Sequence, residues 1–229
     1  MVKFADDTTL TGLISKSDES VYRQAVSRLL EWCDENNLEL NASKTKEIVV
    51  DFRTKTTPIA PLVINGDVIE QVDSFKFLGT TISHDLKWED NITTCVKKAQ
   101  QRLFFLRRLK KFGLCRKILE LFYRSTIESI LTFSIAVWYG TSTQQQRKKL
   151  DRVVRTASRI VGTELTPIDD IFRKRAVSRA RLVIKDGSHP ANHLFTLLPS
   201  KKRYRSMRTR TVRYHDSLFP TTIRLLNDG

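Results

Sequence analysis

Two adjacent carboxylates, Asp6 and Asp7, are the side chains in this sequence best suited to hold a divalent cation. They lie between an apolar entry, Met1-Val2-Lys3-Phe4, and a second apolar segment from Leu10 to Ile14. Acids placed in this way read as the bend of a tight β-hairpin. Mg²⁺ prefers hard, charged oxygen ligands, so a carboxylate pair at a fixed turn is one way to hold it. Asp also serves turns by bonding nearby backbone, so the pair alone does not define a site. Other metal chemistry fails on spacing. Cys33, Cys95 and Cys115 are scattered, and His189 and His193 are separated by Pro190 with no cysteine pair near them. Zinc needs four ligands in closely spaced pairs. His84-Asp85 and His215-Asp216 are adjacent and miss the His-x-Asp/Glu pattern of iron oxygenases. No Walker-type phosphate loop or dinucleotide fingerprint occurs.

The elements that would position the carboxylates come next in the chain. Ser17-Asp18-Glu19-Ser20 reads as a helix start, and Val21, Ala25, Leu29, Trp32 and Cys33 recur at helical spacing up to Asn36-Asn37. A polar turn holds Asn41, Ser43, Lys44 and Thr45, and Ile48 to Phe52 reads as a strand. Thr54 to Pro61 reads as a loop, and Asn65-Gly66-Asp67 as the turn of a second hairpin. Phe75 to Ile82 reads as another strand pair or a single bent strand. From Trp88 the periodicity turns helical. Val96, Ala99, Leu103 and Leu106 form one stripe, and Lys97, Lys98, Arg102, Arg107, Arg108, Lys110 and Lys111 cover much of the rest of that helix. A second helix runs from Ile118 and ends at Gly140. A third carries Leu150, Val153, Val154, Ala157, Ile160 and Val161, with Arg147, Lys148, Lys149, Arg152, Arg155 and Arg159 around the stripe. Thr166-Pro167 reads as the N-cap and first turn of a fourth.

Charge divides the chain. Residues 1–90 carry 10 Lys and Arg against 16 Asp and Glu, whereas residues 91–229 carry 30 against 9. Such a surplus points to a polyanionic partner, RNA or DNA. The tail adds seven Lys and Arg between Lys201 and Arg213, among them Lys201, Lys202, Arg203 and Arg205, and a run of this kind is usually mobile until a polyanion orders it. Tyr204 and Tyr214 could stack on bases there or pack locally. Three cysteines make no even-numbered disulfide framework, which suits a reducing compartment. No charged-then-apolar leader opens the chain, and the apolar run Ile127 to Tyr139 is too short to span a bilayer, so an intracellular protein, nuclear or cytoplasmic, is expected.

The order of these segments carries a resemblance. Phe4-Ala5-Asp6-Asp7-Thr8 resembles the catalytic Asp-Asp box, motif C, of reverse transcriptases. Leu40 to Lys46 with the following Ile48–Phe52 segment resembles motif D of the non-LTR, LINE-type retrotransposon enzymes, and Phe75-Lys76-Phe77-Leu78-Gly79 is similar to motif E, the primer-grip hairpin. The basic helices are similar to the thumb, and Arg179 to Leu226 to the C-terminal end of such a polyprotein. The implied fold is α+β. A truncated palm of β-hairpins and one helix (1–87) would precede an all-α, basic, thumb-like region (88–185) and a basic tail (186–229).

The resemblance implies a two-Mg²⁺ polymerase in which one ion activates the primer 3′-hydroxyl and the other stabilises the leaving pyrophosphate. Asp6 would be the principal ligand and Asp7 its secondary partner. Lys44 would lie near the leaving phosphates, and Phe77, Leu78 and Gly79 would support the primer end. The family's motif A aspartate, fingers and motif B precede motif C, whereas three residues precede Phe4 here. The expectation is therefore a remnant inactive by itself, with weak Mg²⁺ binding and retained affinity for nucleic acid. Its acidic front half is expected to be less stable than its back half, because the first hairpin would keep an open edge.

A shorter stretch, Thr94 to Gly140, is similar to a helical module at the N-terminus of the eighth AlkB homologue, a tRNA-modifying dioxygenase and methyltransferase family. That likeness brings neither the iron ligands nor a cofactor loop. The alternatives are an accessory module of that AlkB-type system and a polymerase completed by another chain.

Overall fold

The computed structural model describes residues 1–15, 18–53 and 59–228. It is a mixed α and β fold with small two-stranded sheets. Two compact units divide it, one of residues 1–75 with 83–86, the other of residues 76–82 with 87–229.

In the first unit, β1 (Val2–Phe4) and β2 (Asp7–Thr9) form an antiparallel hairpin with Val2 opposite Thr9 and Phe4 opposite Asp7. Helix α1 (Ser20–Glu35) follows and ends at Asn36. Ser17 and residues 54–58, part of the expected helix start and loop, lie outside the described residues. β3 (Lys46–Glu47) pairs in parallel with β6 (Glu70–Gln71), and β4 (Val63–Ile64) pairs with β5 (Asp67–Val68) across a turn in which Asn65 and Gly66 both take positive φ. That is the two-residue hairpin Asn-Gly favours. Val26 of α1 packs on Leu62, Ile64 and Ile69, and Tyr22 closes the edge of this small core by donating its hydroxyl to Glu47 Oε1 at 2.8 Å. Burial, with the Glu47 bond, pushes the Tyr22 phenol above its ordinary range.

The expected strand from Ile48 to Phe52 is replaced by irregular chain, with Val50 and Phe52 exposed. A β-branched run forms a strand only where a neighbouring strand completes its hydrogen bonds, and here the pairing stops at Glu47.

β7 (Ser74–Phe77) and β8 (Thr80–Ser83) pair through the turn Leu78-Gly79. The second unit is otherwise helical. α2 (Glu89–Lys111) starts on Glu89 and Asp90 and ends on Arg108, Lys110 and Lys111, the charge order that favours the helix dipole. α3 (Arg116–Phe122) runs into a π-turn, Tyr123–Glu128, and then α4 (Ser129–Leu131). The helix expected to continue to Gly140 breaks at Thr132-Phe133-Ser134. Ser134 adopts a left-handed φ of 49°, and the Thr132 carbonyl accepts from the Ile135 N–H at 3.3 Å and from Arg175 at 2.6 Å. α5 (Ile135–Trp138) resumes beyond the break.

α6 (Gln144–Val161) opens on a capping box. Thr143 Oγ1 accepts from the Gln146 N–H at 3.3 Å, and the Gln146 side chain accepts from the Thr143 N–H at 2.8 Å. α7 (Ile168–Lys185) starts one residue later than expected, with Pro167 as the cap rather than the first helical residue. Ile92, Ala99, Leu103 and Leu106 of α2 join Leu119, Tyr123, Ile127, Leu150, Val153, Ala157 and Val161 in one buried core. The tail is built into this unit. α8 (Val212–His215) and α9 (Leu218–Asp228) follow Phe195, and Ile223 packs on Ala180 and Val183 of α7. Tyr204 sits edge-on to Phe195, with ring centroids 6.2 Å apart, so it packs locally.

Two measurements test the packing of these units. Hydrogen exchange should be slowest in α2 and α6 and fast in the two- and three-residue strands of the first unit, because isolated two-stranded ribbons are marginal in water. Uniformly slow exchange across residues 1–85 would contradict it. In the second unit, burial pushes the Tyr139 phenol up to about 12. Its neutral form is favoured in the folded state, so this contribution is fully present below about pH 10 and is lost as pH rises toward 12. Tyr139→Phe should flatten the alkaline decline in urea-unfolding free energy over that window.

Candidate functional site

Asp6 lies in the bend between β1 and β2, and Asp7 is the first residue of β2. Ala5, which starts the bend, has a φ of 52°. Both carboxylates are exposed. Lys44 occupies the polar turn expected of it, where Asn41 Oδ1 accepts from the Lys44 N–H at 3.0 Å and from the Ser43 hydroxyl at 2.7 Å. No hydrogen bond or ion pair joins Asp6, Asp7 and Lys44 among the described residues, and no group of three His, Cys, Asp or Glu could hold a metal ion there.

Mg²⁺ demands near-octahedral oxygen coordination and usually takes one or two carboxylates plus substrate phosphates. Two exposed carboxylates on a two-stranded ribbon do not make that cage. The donor set of the described residues therefore does not fit a resident Mg²⁺ pair.

Phe77, Leu78 and Gly79 fall at the end of β7 and in the turn to β8. Leu78 has φ 44° and Gly79 φ 87°. A Cβ at Gly79 would meet the Phe133 ring at 3.0 Å, so this turn needs glycine both for its backbone and for the ring beside it. Gly79→Ala should cost ~1–2 kcal/mol from the left-handed φ alone, read as a lower urea midpoint of the second unit.

The cations form the largest grouping. Lys97, Lys98, Arg102, Arg107 and Arg108 all lie on α2 and are exposed. From residue 91 through 119 there are nine Lys and Arg and no Asp or Glu. On α6, Lys148, Arg152, Arg155 and Arg159 recur at spacings of four, three and four and are exposed, so they share one face. Arg147, counted with them by sequence, has a structural role. It donates to the carbonyls of Tyr139 at 3.1 Å and Gly140 at 2.8 Å and lies 4.6 Å from the Tyr139 ring. Lys149 pairs with Glu89 at 3.4 Å. Arg155 and Arg159 line a shallow open groove with Ser158, Gly162, Thr163 and Glu164.

Lys201, Lys202, Arg203 and Arg205 occupy an exposed loop closed by bonds from the Leu198 N–H to the Arg203 carbonyl at 2.8 Å and from the Arg205 N–H to the Thr196 carbonyl at 2.7 Å. Three rings outside the stripe read from the sequence are exposed, Phe104 and Phe105 on α2 and Phe112 at its C-terminal cap. Their signal was their position, off the apolar register of Ala99, Leu103 and Leu106. Cys95 is half-buried, and that burial pushes its thiol up and makes it a poor nucleophile.

Residues 88–129, which hold α2 and α3, match the family model described as alkylated DNA repair protein alkB homolog 8, N-terminal. The chain is also similar to a probable RNA-directed DNA polymerase from transposon BS of Drosophila melanogaster, with 21% identity over 165 residues. That alignment takes in 70% of this chain and 18% of the relative, so the chain spans less than a fifth of the polymerase it resembles. No solved structure matches. Among the described residues, no helix is long and apolar enough to cross a membrane.

Proposed function

We propose that this chain corresponds to the Asp-Asp hairpin, primer-grip hairpin and downstream helices of a non-LTR retrotransposon reverse transcriptase, and that its own activity is to hold RNA or DNA. The observation that carries this reading is the cationic surface of α2, the start of α3 and α6, with nine cations and no acid from residue 91 through 119. Periodic Lys and Arg on a helix face suit phosphates spaced along a backbone, and the counterions released on binding supply the affinity. The likeness to a transposon polymerase supports the same assignment.

Polymerisation is a different matter. Asp6 and Asp7 supply two carboxylates to a centre that the family builds from three, and the described residues offer no third beside them. Within this chain Asp6 and Asp7 can attract a cation at the hairpin, Lys44 can attract phosphate, and the turn at Leu78-Gly79 can support a strand end. Nucleotide addition then requires a further carboxylate from elsewhere.

A binding series of the purified chain on RNA–DNA hybrid, RNA and duplex DNA tests this, with Mg²⁺ and deoxynucleotides added in a parallel reaction. Affinity should fall steeply with salt, and Arg155→Ala should lower the logarithmic salt slope by about one. No primer extension should appear. Extension abolished by Asp6→Ala would show that the chain polymerises without a third carboxylate of its own.

The match of residues 88–129 to the alkB homolog 8 N-terminal model favours a second reading, an accessory module that binds a protein. Absence of any nucleic-acid binding at low salt would select it.

A further inference from the structure

Resting on the nucleic-acid reading above, we infer that the outward face of α2 is a stacking platform for the unpaired bases of a single strand. α2 buries Ile92, Ala99, Leu103 and Leu106 on one side. At 100° per residue, positions 97, 101, 104, 108 and 112 fall on the opposite side. Apolar rings would not be expected there. Phe104 is nevertheless 53% exposed, Phe105 49% and Phe112 72%. Phe104 and Phe105 meet edge to face with centroids 5.5 Å apart. The Arg108 guanidinium lies 5.8 Å from the centroids of both Phe104 and Phe112, which makes an alternating ring–guanidinium–ring ladder along the helix. Lys98 and Arg102 flank the ladder on one side, Arg107 and Lys111 on the other.

The chemistry of the rim selects the occupant. An apolar strip flanked by Lys98, Arg102, Arg107 and Lys111, with the uncharged Gln100 and Gln101 beside it and no acid from residue 91 through 119, suits a ligand with flat apolar faces and an anionic backbone. Rings and guanidinium planes both stack on bases, and phenylalanine does so without regard to sequence because it carries no polar group. The ladder also excludes a duplex. Four residues advance a helix by about 6 Å, whereas bases stacked on each other are about 3.4 Å apart. Bases seated on successive rungs must be unstacked from one another, which a duplex does not permit.

The full chain is titrated by fluorescence anisotropy against an oligothymidylate, an abasic strand with the same number of phosphates, and a duplex. Each base stacked on an aromatic ring contributes enough that the abasic strand should bind at least about tenfold more weakly. Combined Phe104→Ala, Phe105→Ala and Phe112→Ala should abolish this preference while leaving the salt slope and the duplex affinity unchanged. Combined Phe→Tyr substitution at the same positions should retain the preference, which covers the case in which the alanine variant loses helix by circular dichroism. Equal binding of oligothymidylate and abasic strand by the wild type would overturn the stacking platform and leave the phosphate grip intact. Failure to bind any of the three would overturn the nucleic-acid reading itself. Sedimentation as a dimer that the alanine variant abolishes would assign the face to a second copy of the chain instead.

Discussion

The seating of α2 in the core of the second unit is the constraint on which the rest depends. A helix with seven Lys and Arg between residues 97 and 111 repels itself. It persists because Ile92, Ala99, Leu103 and Leu106 are withdrawn from water with Leu150, Val153 and Ala157 of α6. Each fully buried Leu or Ile contributes about 1.5–3 kcal/mol, more than the few tenths lost for each like-charge pair four apart on a helix. Charge therefore accumulates on the solvent side without unfolding the helix. The same burial leaves the outward positions free of any packing duty, so Phe104, Phe105 and Phe112 are not there to fill a core.

The helical unit was legible because its signal is periodic and long. The stripes of α2, α6 and α7 could be read from spacing alone, since 3.6-residue periodicity over several turns has few competing explanations. The interruption at Thr132 to Ser134 was not legible. It involves the left-handed Ser134 and a guanidinium 43 residues away in sequence that donates to the Thr132 carbonyl, neither of which periodicity reports. The segment Ile48 to Phe52 has strand composition, but composition does not provide a neighbour to pair with. The Asn65-Gly66 turn fared better, because both residues tolerate positive φ, whereas the left-handed Leu78 before Gly79 has no such local signal.

The candidate site divides along the same line. That Asp6, Asp7 and Lys44 have the residue types of a polymerase centre is visible in the sequence, but whether they meet is a question of tertiary placement. The cations of α2 needed only a helix to gather them, so they were found together. Arg147 shows the limit of counting charge, since its guanidinium is taken up by the Tyr139 and Gly140 carbonyls.

The parallel pairing of β3 with β6 carries a consequence for synthesis. Lys46 and its partner Glu70 are 24 residues apart, and neither strand has an independent existence until both are present. At ribosomal rates of about 5–20 residues per second, Glu47 waits roughly one to five seconds for the strand that completes its pairing. Through that interval the apolar run from Ile48 to Phe52 is unprotected, and Val50 and Phe52 stay exposed even after folding. The nascent first unit thus presents an apolar segment, interrupted only by Asp51, before the basic helices have been made, and exposed surface of this kind favours aggregation during synthesis.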